Sequence, residues 1–375
     1  MTAEEMQPTK KATRDYRSYS DTPWDIWDVM YARRSNRKYI PARLSGEFTG
    51  SLEEIVGLSG GVRGAGSESI IPVTDQAKAD LLRRRLLRGV RNKINLWLAR
   101  APVSGFLVIA VPAGDAGADR PRELPLAVMA VEDCVLWLTS VGMGTCWLAG
   151  VNQQEIAGVL GLAGDVAVPV IVCLGKPKPT GRSMNFDSLM ARTMSRRRKP
   201  LSVIASVETA DRSYPAQVIP SHPFSAVPVQ EVTGLLERVR DRTATPEPPL
   251  ELVVDACMEA ARIAPSASNL QKWRFVLVKD KKNLDELSGL SGGVNGGRWR
   301  AAIVAAGEEG GLGQVILEKP FWMIDVPIAL SHMSLMAASM GCGAEVRVDG
   351  IDEGGINRMV RLPSGVRTVG VLGIL

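Results

Sequence analysis

The sequence predicts an α+β fold, an α/β sandwich, assembled from two related halves. Short apolar runs suited to buried strands alternate with longer stretches of helical apolar periodicity. A pattern of residues recurs at an offset of 199 positions. A Pro-, Ser- and Ala-rich stretch, 202–228, reads as a connector near the middle of the 375 residues. The expected organisation is a flexible polar arm (1–20), a first repeat (21–201), the connector, and a second repeat (229–375).

Taken in order, a short helix is expected from Asp21, with Trp24, Trp27 and Tyr31 on one face. Strands are expected at Gly105–Val111, Val168–Leu174, Phe275–Val278 and Thr368–Leu372, and helices at Leu81–Leu98, Pro125–Val141, Leu250–Ile263 and Ile328–Met340. The repeat is clearest where helices stop. Ala130, Leu136, Ser140, Gly142 and Gly144 fall on Ala329, Leu335, Ser339, Gly341 and Gly343, so an apolar helix ends in Gly-x-Gly in both halves. At the same offset Ala65–Ser69 falls on Ala264–Ser268.

Composition removes several function classes. Apolar residues are 45% and charged residues 23%, the balance of a chain with a sizeable core rather than a disordered one. Two distant histidines, His222 and His332, and five scattered cysteines without CxxC spacing argue against a zinc site or a Ser-His-Asp hydrolase. Reduced, buried thiols and a polar N-terminus point to a soluble cytoplasmic protein. The net charge of +5 is modest but uneven: eight basic residues and one acid lie between Lys176 and Lys199, and seven basic residues and no acid between Arg83 and Arg100. Such runs suit phosphate, nucleic acid or a membrane surface, or simply a solvated face.

Four segments carry potential chemistry. Arg33-Arg34-Ser35-Asn36-Arg37-Lys38 offers guanidinium forks and a hydroxyl, the donors a phosphate dianion takes, although an exposed basic turn would read the same. Arg196-Arg197-Arg198-Lys199 is a second cluster, just past an apolar strand. Pro265-Ser266-Ala267-Ser268-Asn269 ends a helix with small residues that admit a flat ligand and hydrogen-bond its edge, and also suits an ordinary turn. Gly142–Gly150 would bring backbone N–H groups to a ligand edge, or serve only as a helix cap and strand.

In this order the segments resemble the FMN-dependent nitroreductase family, whose usual form is a homodimer with two flavins at the interface. The likeness to a compact subgroup with both half-sites in one chain runs from about Trp24 to the C-terminus, through VEDCVLWLTSVGMGTCW, RRRKP, IAPSASNLQKW and VPIALSHMSLMAA. It implies two fused repeats, each a mainly antiparallel sheet flanked by helices, forming an intrachain pseudo-dimer. The first half keeps the basic motif but reads Gly66-Ser67-Glu68-Ser69 where Pro-Ser-x-x-Asn belongs. The second keeps that wall, with Lys272 in place of proline, but offers only Arg238-Val239-Arg240-Asp241-Arg242 as a basic counterpart.

By that resemblance one FMN is expected per chain. Arg33, Arg34, Ser35, Arg37, Arg196 and Arg198 would hold its phosphate, and Pro265, Ser266, Ser268 and Asn269 would line the isoalloxazine. Backbone N–H groups of Ala149 and Gly150 would face the N5 edge. NADH or NADPH would be the co-substrate, a nitroaromatic, quinone or similar small molecule the acceptor, and the kinetics ping-pong. No side chain is expected to act as acid, base or nucleophile, and no metal, specific nucleic acid or membrane is implied. The chain is expected to be a monomer or a weak homo-oligomer. Two alternatives stay open: a flavin-binding sensor or carrier without turnover, and a basic protein that binds nucleic acid or a membrane surface.

Overall fold

The computed structural model describes residues 26–90, 95–178, 198–215, 232–241, 248–292, 298–310 and 320–375. In the first half the elements run α1 (Ile26–Ala32), α2 (Gly46–Arg63), β1 (Ile70–Val73), α3 (Gln76–Arg85), a 3₁₀ turn (Leu96–Arg100), β2 (Gly105–Ile109), β3 (Val111–Pro112), α4 (Ala113–Ala116), α5 (Glu123–Ser140), β4 (Gly144–Leu148), α6 (Gln153–Leu160), β5 (Val166–Ala167) and β6 (Ile171–Gly175). There follow α7 (Leu201–Ile204), β7 (Ala205–Val207), β8 (Thr209–Ser213) and α8 (Val232–Asp241). The second half continues with α9 (Leu250–Ile263), β9 (Trp273–Val278), α10 (Lys281–Leu290), β10 (Ala301–Glu308), α11 (Trp322–Ser339), β11 (Ala344–Arg347), α12 (Glu353–Met359) and β12 (Val366–Ile374).

The fold is α+β. One sheet has the order β1-β2-β6-β4 with antiparallel neighbours throughout. The other runs β9-β10-β12-β11 in the same antiparallel pattern, and β7 and β8 extend it beyond β9. β7 pairs with β9 in parallel, so a segment that follows the first sheet in sequence is added to the second. Ser202–Tyr214, expected as part of a plain connector, therefore holds a helical turn and two strands. The signal is weak because β8, Thr-Ala-Asp-Arg-Ser, is a half-exposed edge strand with little apolar alternation.

One apolar core lies between the sheets, where α1, α2, α5, α8, α9 and α11 contribute. Two smaller cores cover the outer faces, under α3 and α6 in the first half and under α10 and α12 in the second. Every residue of α11 is buried and nearly all of α5, which is why neither shows a polar stripe in sequence. Among the described residues no helix is long and apolar enough to cross a membrane, and no group of His, Cys, Asp or Glu could hold a metal. All five cysteines are buried, and none is joined in a disulfide.

Three helix expectations change. The helix expected over Leu81–Leu98 stops at Arg85 and turns through Leu86–Gly89, after starting at an Asp75 cap whose carboxylate accepts from Lys78 N–H. The helix expected from Ile328 starts at Trp322, with Pro327 inside it: burial of Trp322, Met323 and Ile324 outweighs the one backbone bond proline omits. Of the helix expected from Asp21, the described part is Ile26–Ala32; Asp21 and Trp24 lie outside the described residues. By contrast Leu250–Ile263 is observed as expected, and Gly142 and Gly341 both take φ of 79° where α5 and α11 end.

Where α5 crosses α11 the contacts are reciprocal. Glu132 Oε1 lies 2.8 Å from His332 Nε2, and Ser331 Oγ donates to Asp133 Oδ1 at 2.7 Å. At the 199-residue offset Glu132 corresponds to Ser331 and Asp133 to His332, so each helix offers its pair to the other's pair, as across a two-fold axis. Arg63, at the end of α2, grips Asp133 through Nε and Nη2 at 2.7 and 2.8 Å and donates to Ser334 at 2.8 Å.

Candidate functional site at the junction of the halves

The basic segment 33–38 leaves α1 and runs along the end of the first sheet. Ser35 bridges Thr145 of β4 and Tyr39 bridges Pro177 just beyond β6, with Asn36 N–H donating to Thr145 O at 2.8 Å. Gly144 permits this approach, since a Cβ there would sit 2.9 Å from Asn36 Cγ. Arg34 Nη1 donates to the carbonyls of Tyr31 and Arg33, closing the end of α1. Arg33 is buried, and its Nε has no partner among the described residues. Ser35 and Arg37 are exposed, and neither side chain makes a hydrogen bond there.

The wall loop lies at the C-terminal end of α9. Ser268, Asn269 and Gln271 adopt φ of 50°, 54° and 51°, the left-handed region that side chains other than glycine's disfavour. The bonds that hold this conformation come from three directions. Ser266 Oγ accepts from Gln271 N–H at 3.0 Å, Gln271 Nε2 donates to Asn269 O at 3.1 Å, and Asp325 of α11 accepts from Ala267 N–H at 2.9 Å. Gln271 and Trp273 are buried behind the loop.

Arg198 joins the two parts. Its Nη1 and Nη2 donate to Ala264 O and Ile263 O at 2.6 and 2.8 Å, so these donors hold the C-terminal end of α9. Burial, with Arg33, Arg262 and Arg34 nearby, pulls its guanidinium down to about 9. Lys199 continues the seam, its N–H donating to Gln271 Oε1 and its Nζ to Gln271 O. From α1, the Tyr31 hydroxyl donates to Glu259 of α9, which also pairs with Arg262. Burial, then Glu259, pushes the Tyr31 phenol up.

Beyond β4, the N–H groups of Ala149 and Gly150 meet no acceptor among the described residues, while Gly150 O accepts from Asn95 Nδ2 at 3.2 Å. Of the residues expected from sequence, Arg33, Arg34 and Arg198 converge with Ile263–Pro265. Ser35 and Arg37 continue the same edge, and Arg37 and Arg33 oppose the burial that pushes the Cys146 thiol up. Arg196 lies outside the described residues.

Sequence reading missed Asp325, Tyr31 and Glu259. Asp325 did leave a trace, as the lone carboxylate in an otherwise uncharged 18-residue helix. Burial raises its carboxyl to about 7, against the Ala267 N–H that favours the charged form.

Residues 235–308, from within α8 through the wall to the end of β10, match the model of the nitroreductase family. The chain carries a nitroreductase-family segment. That segment is the mark of an oxidoreductase, and it contains the Pro265–Asn269 wall. Among curated proteins none matches. Among solved structures, a putative nitroreductase from Thermotoga maritima covers 94% of this chain and 95% of its own, at 16% identity and a TM-score of 0.44. An FMN-dependent nitroreductase from Clostridium difficile R20291 covers 36% of this chain and 79% of its own, at 24% identity and a TM-score of 0.31. A putative NADH dehydrogenase/NAD(P)H nitroreductase from Parabacteroides distasonis covers 36% and 78%, at 26% identity and a TM-score of 0.31.

Proposed function

We propose that this chain is a flavin-dependent oxidoreductase with a single FMN seated between its halves. The observation that carries the reading is the seam at Arg198: a half-buried guanidinium bonded to the carbonyls just before Pro265, in the electrostatic field of Arg33 and Arg34. The basic segment that closes the first half thereby lies against the small-residue loop of the second, 66 residues further along the sequence.

The leftover donors fit an FMN. Arg33 Nε is buried without an acceptor, and Ser35 Oγ and the Arg37 guanidinium are uncommitted among the described residues. A phosphate accepts from such a set, at roughly 1.5–3 kcal/mol for each charged hydrogen bond. Arg33, Ser35 and Arg37, with Arg196, would hold that group. Arg34 and Arg198 would act mainly through their charge, because the donors described above hold helix ends. Pro265, Ser266, Ser268 and Asn269 would line the ring, and the N–H groups of Ala149 and Gly150 would donate to its reactive edge.

When bound, FMN would supply the redox chemistry, taking hydride from NADH or NADPH and passing it to a nitroaromatic, quinone or similar acceptor in a ping-pong cycle. The chain's own part is to bind, orient and shield, and it needs no acid, base or nucleophile. The two halves, 21–201 and 229–375, read as fused copies of one half-site: one kept the basic grip and the other the wall. This supports one flavin per chain in a cytoplasmic monomer or weak oligomer.

Reconstitution tests the reading. Protein titrated with FMN should saturate at one per chain, show the visible absorption of an oxidised flavin, and oxidise NAD(P)H when an acceptor is added. Bound flavin with no turnover would point instead to a sensor or carrier. A chain that takes up no FMN would overturn the proposal.

A further inference from the structure

The first half holds a groove that the flavin reading leaves unused. Its volume is about 400 Å³, and it opens between Pro41–Arg43, α3 and the residues 100–103 leading into β2. None of these residues belongs to the 33–38 segment or the 264–271 loop. α3 covers the outer face of the first sheet, away from the core shared by the halves.

The charged lining is Arg43, Asp80, Arg83 and Arg100. Arg83 Nε donates to Asp80 Oδ1 at 3.3 Å, and Gln76 Nε2 lies 3.4 Å from Asp80 Oδ2, so the carboxylate is already engaged. Arg83 Nη1 also donates to Ala99 O, which ties α3 to the 3₁₀ turn. Arg43 and Arg100 are exposed and make no hydrogen bond or ion pair among the described residues. Three guanidiniums from three segments thus meet in one concavity with one neutralised acid between them.

Such a lining selects an oxyanion, and guanidinium forks select phosphate geometry over a point charge. The volume lies in the range of small-molecule sites and exceeds the needs of one phosphate. Counted from their Asp75 and Asp280 caps, α3 and α10 correspond so that Asp285 and Ser288 stand where Asp80 and Arg83 do. Ser288 is buried and carries no charge, so the second half does not repeat the arrangement.

We propose that this groove binds a small diphosphate-bearing ligand through Arg43, Arg83 and Arg100. The inference does not depend on the flavin reading. It gives a role to Arg83 and Arg100 within the basic run 83–100, while Arg85 pairs with Glu155 of α6.

Isothermal titration of the full-length chain at constant ionic strength tests it, with inorganic pyrophosphate in one arm and ADP in the other. Saturable binding is expected, weakened on the order of tenfold or more by Arg43→Gln with Arg100→Gln. Arg84→Gln, an exposed change on α3 outside the groove, should leave it unchanged. Binding should also survive Arg33→Ala with Arg37→Ala. Tighter ADP binding assigns the site to a nucleotide, and equal or tighter pyrophosphate binding to a free diphosphate. The proposal fails if neither probe saturates in the millimolar range, if Arg43→Gln with Arg100→Gln binds as the parent does, or if Arg33→Ala with Arg37→Ala abolishes the isotherm.

Discussion

The loop after α2 and the loop after α9 occupy corresponding places in the two halves but are built differently. After α2 the chain turns at Gly64, at φ of 75° with open space where a side chain would begin, and Gly66 N–H is held by Glu123 at 3.3 Å. After α9 three residues with side chains take the left-handed conformation, and Asp325, Gln271 and Arg198 hold them there. One loop relaxes with glycine. The other keeps strain, which persists only where surrounding bonds over-determine it and which gathers at ligand sites.

The contrast can be broken most forcefully at the helix ends that precede these loops. Arg63 and Arg262 correspond, yet the Arg63 side chain is 2% exposed and paired with a fully buried Asp133, whereas that of Arg262 is 20% exposed. Arg63→Ala should cost about 3–5 kcal/mol because it strands a buried carboxylate. Arg262→Ala should cost less than half of that. Urea unfolding measures both, and equal losses would erase the difference between the halves.

A second contrast concerns the basic segments. Arg33→Ala with Arg37→Ala should weaken FMN binding by about a hundredfold or more, from two lost charged hydrogen bonds. Arg238→Ala with Arg240→Ala, the counterpart on α8, should change it little. Flavin fluorescence titrations, with circular dichroism to verify the fold, compare the two; similar losses would place the flavin differently.

Asp325 gives a smaller, pH-dependent effect. Its raised value means that between about pH 4 and about pH 7 the folded chain holds a proton the unfolded chain has released. Stability therefore falls as pH rises through that window. Asp325→Asn, which keeps an acceptor for Ala267 N–H, should flatten this slope. Unfolding midpoints at about pH 5 and about pH 8 read it, and an unchanged slope would assign the titration elsewhere.

The smallest effect separates the loops themselves. Ser268→Gly should stabilise by up to about 1 kcal/mol by relieving φ, and Gly64→Ala should destabilise by a similar amount. Thermal unfolding of the two variants decides, and opposite signs are required.

Much of this was legible in sequence where one physical term dominated. Leu250–Ile263 carries a strong apolar period and a following proline, and the Gly142 and Gly341 turns repeat at one offset. The buried polar layer was not legible. Glu132 and Asp133 resemble surface charges until partners from the other half are known, as Asp325 does until the Ala267 N–H is, and Tyr31 finds Glu259 228 residues away. The order Arg33, Arg34, Ser35, Arg37 marked a basic edge, but nothing local revealed that Arg198 would stitch α9 in place. β7 and β8 were missed because strand identity there comes from pairing with β9 rather than from composition.

The reciprocal crossing of α5 and α11 has a consequence for how the molecule is made. As the chain leaves the ribosome, Glu132 and Asp133 emerge about 200 residues before Ser331 and His332, which cover them. Until then the first sheet can form, with Arg63 on Asp133 and Trp147 on Glu132, but the side of the acidic pair that α11 covers stays open. Closing that contact is a late, non-local step of the kind that sets slow folding rates and leaves apolar surface open meanwhile. A stalled or truncated chain ending before α11 should be a client for chaperones rather than half of a working protein.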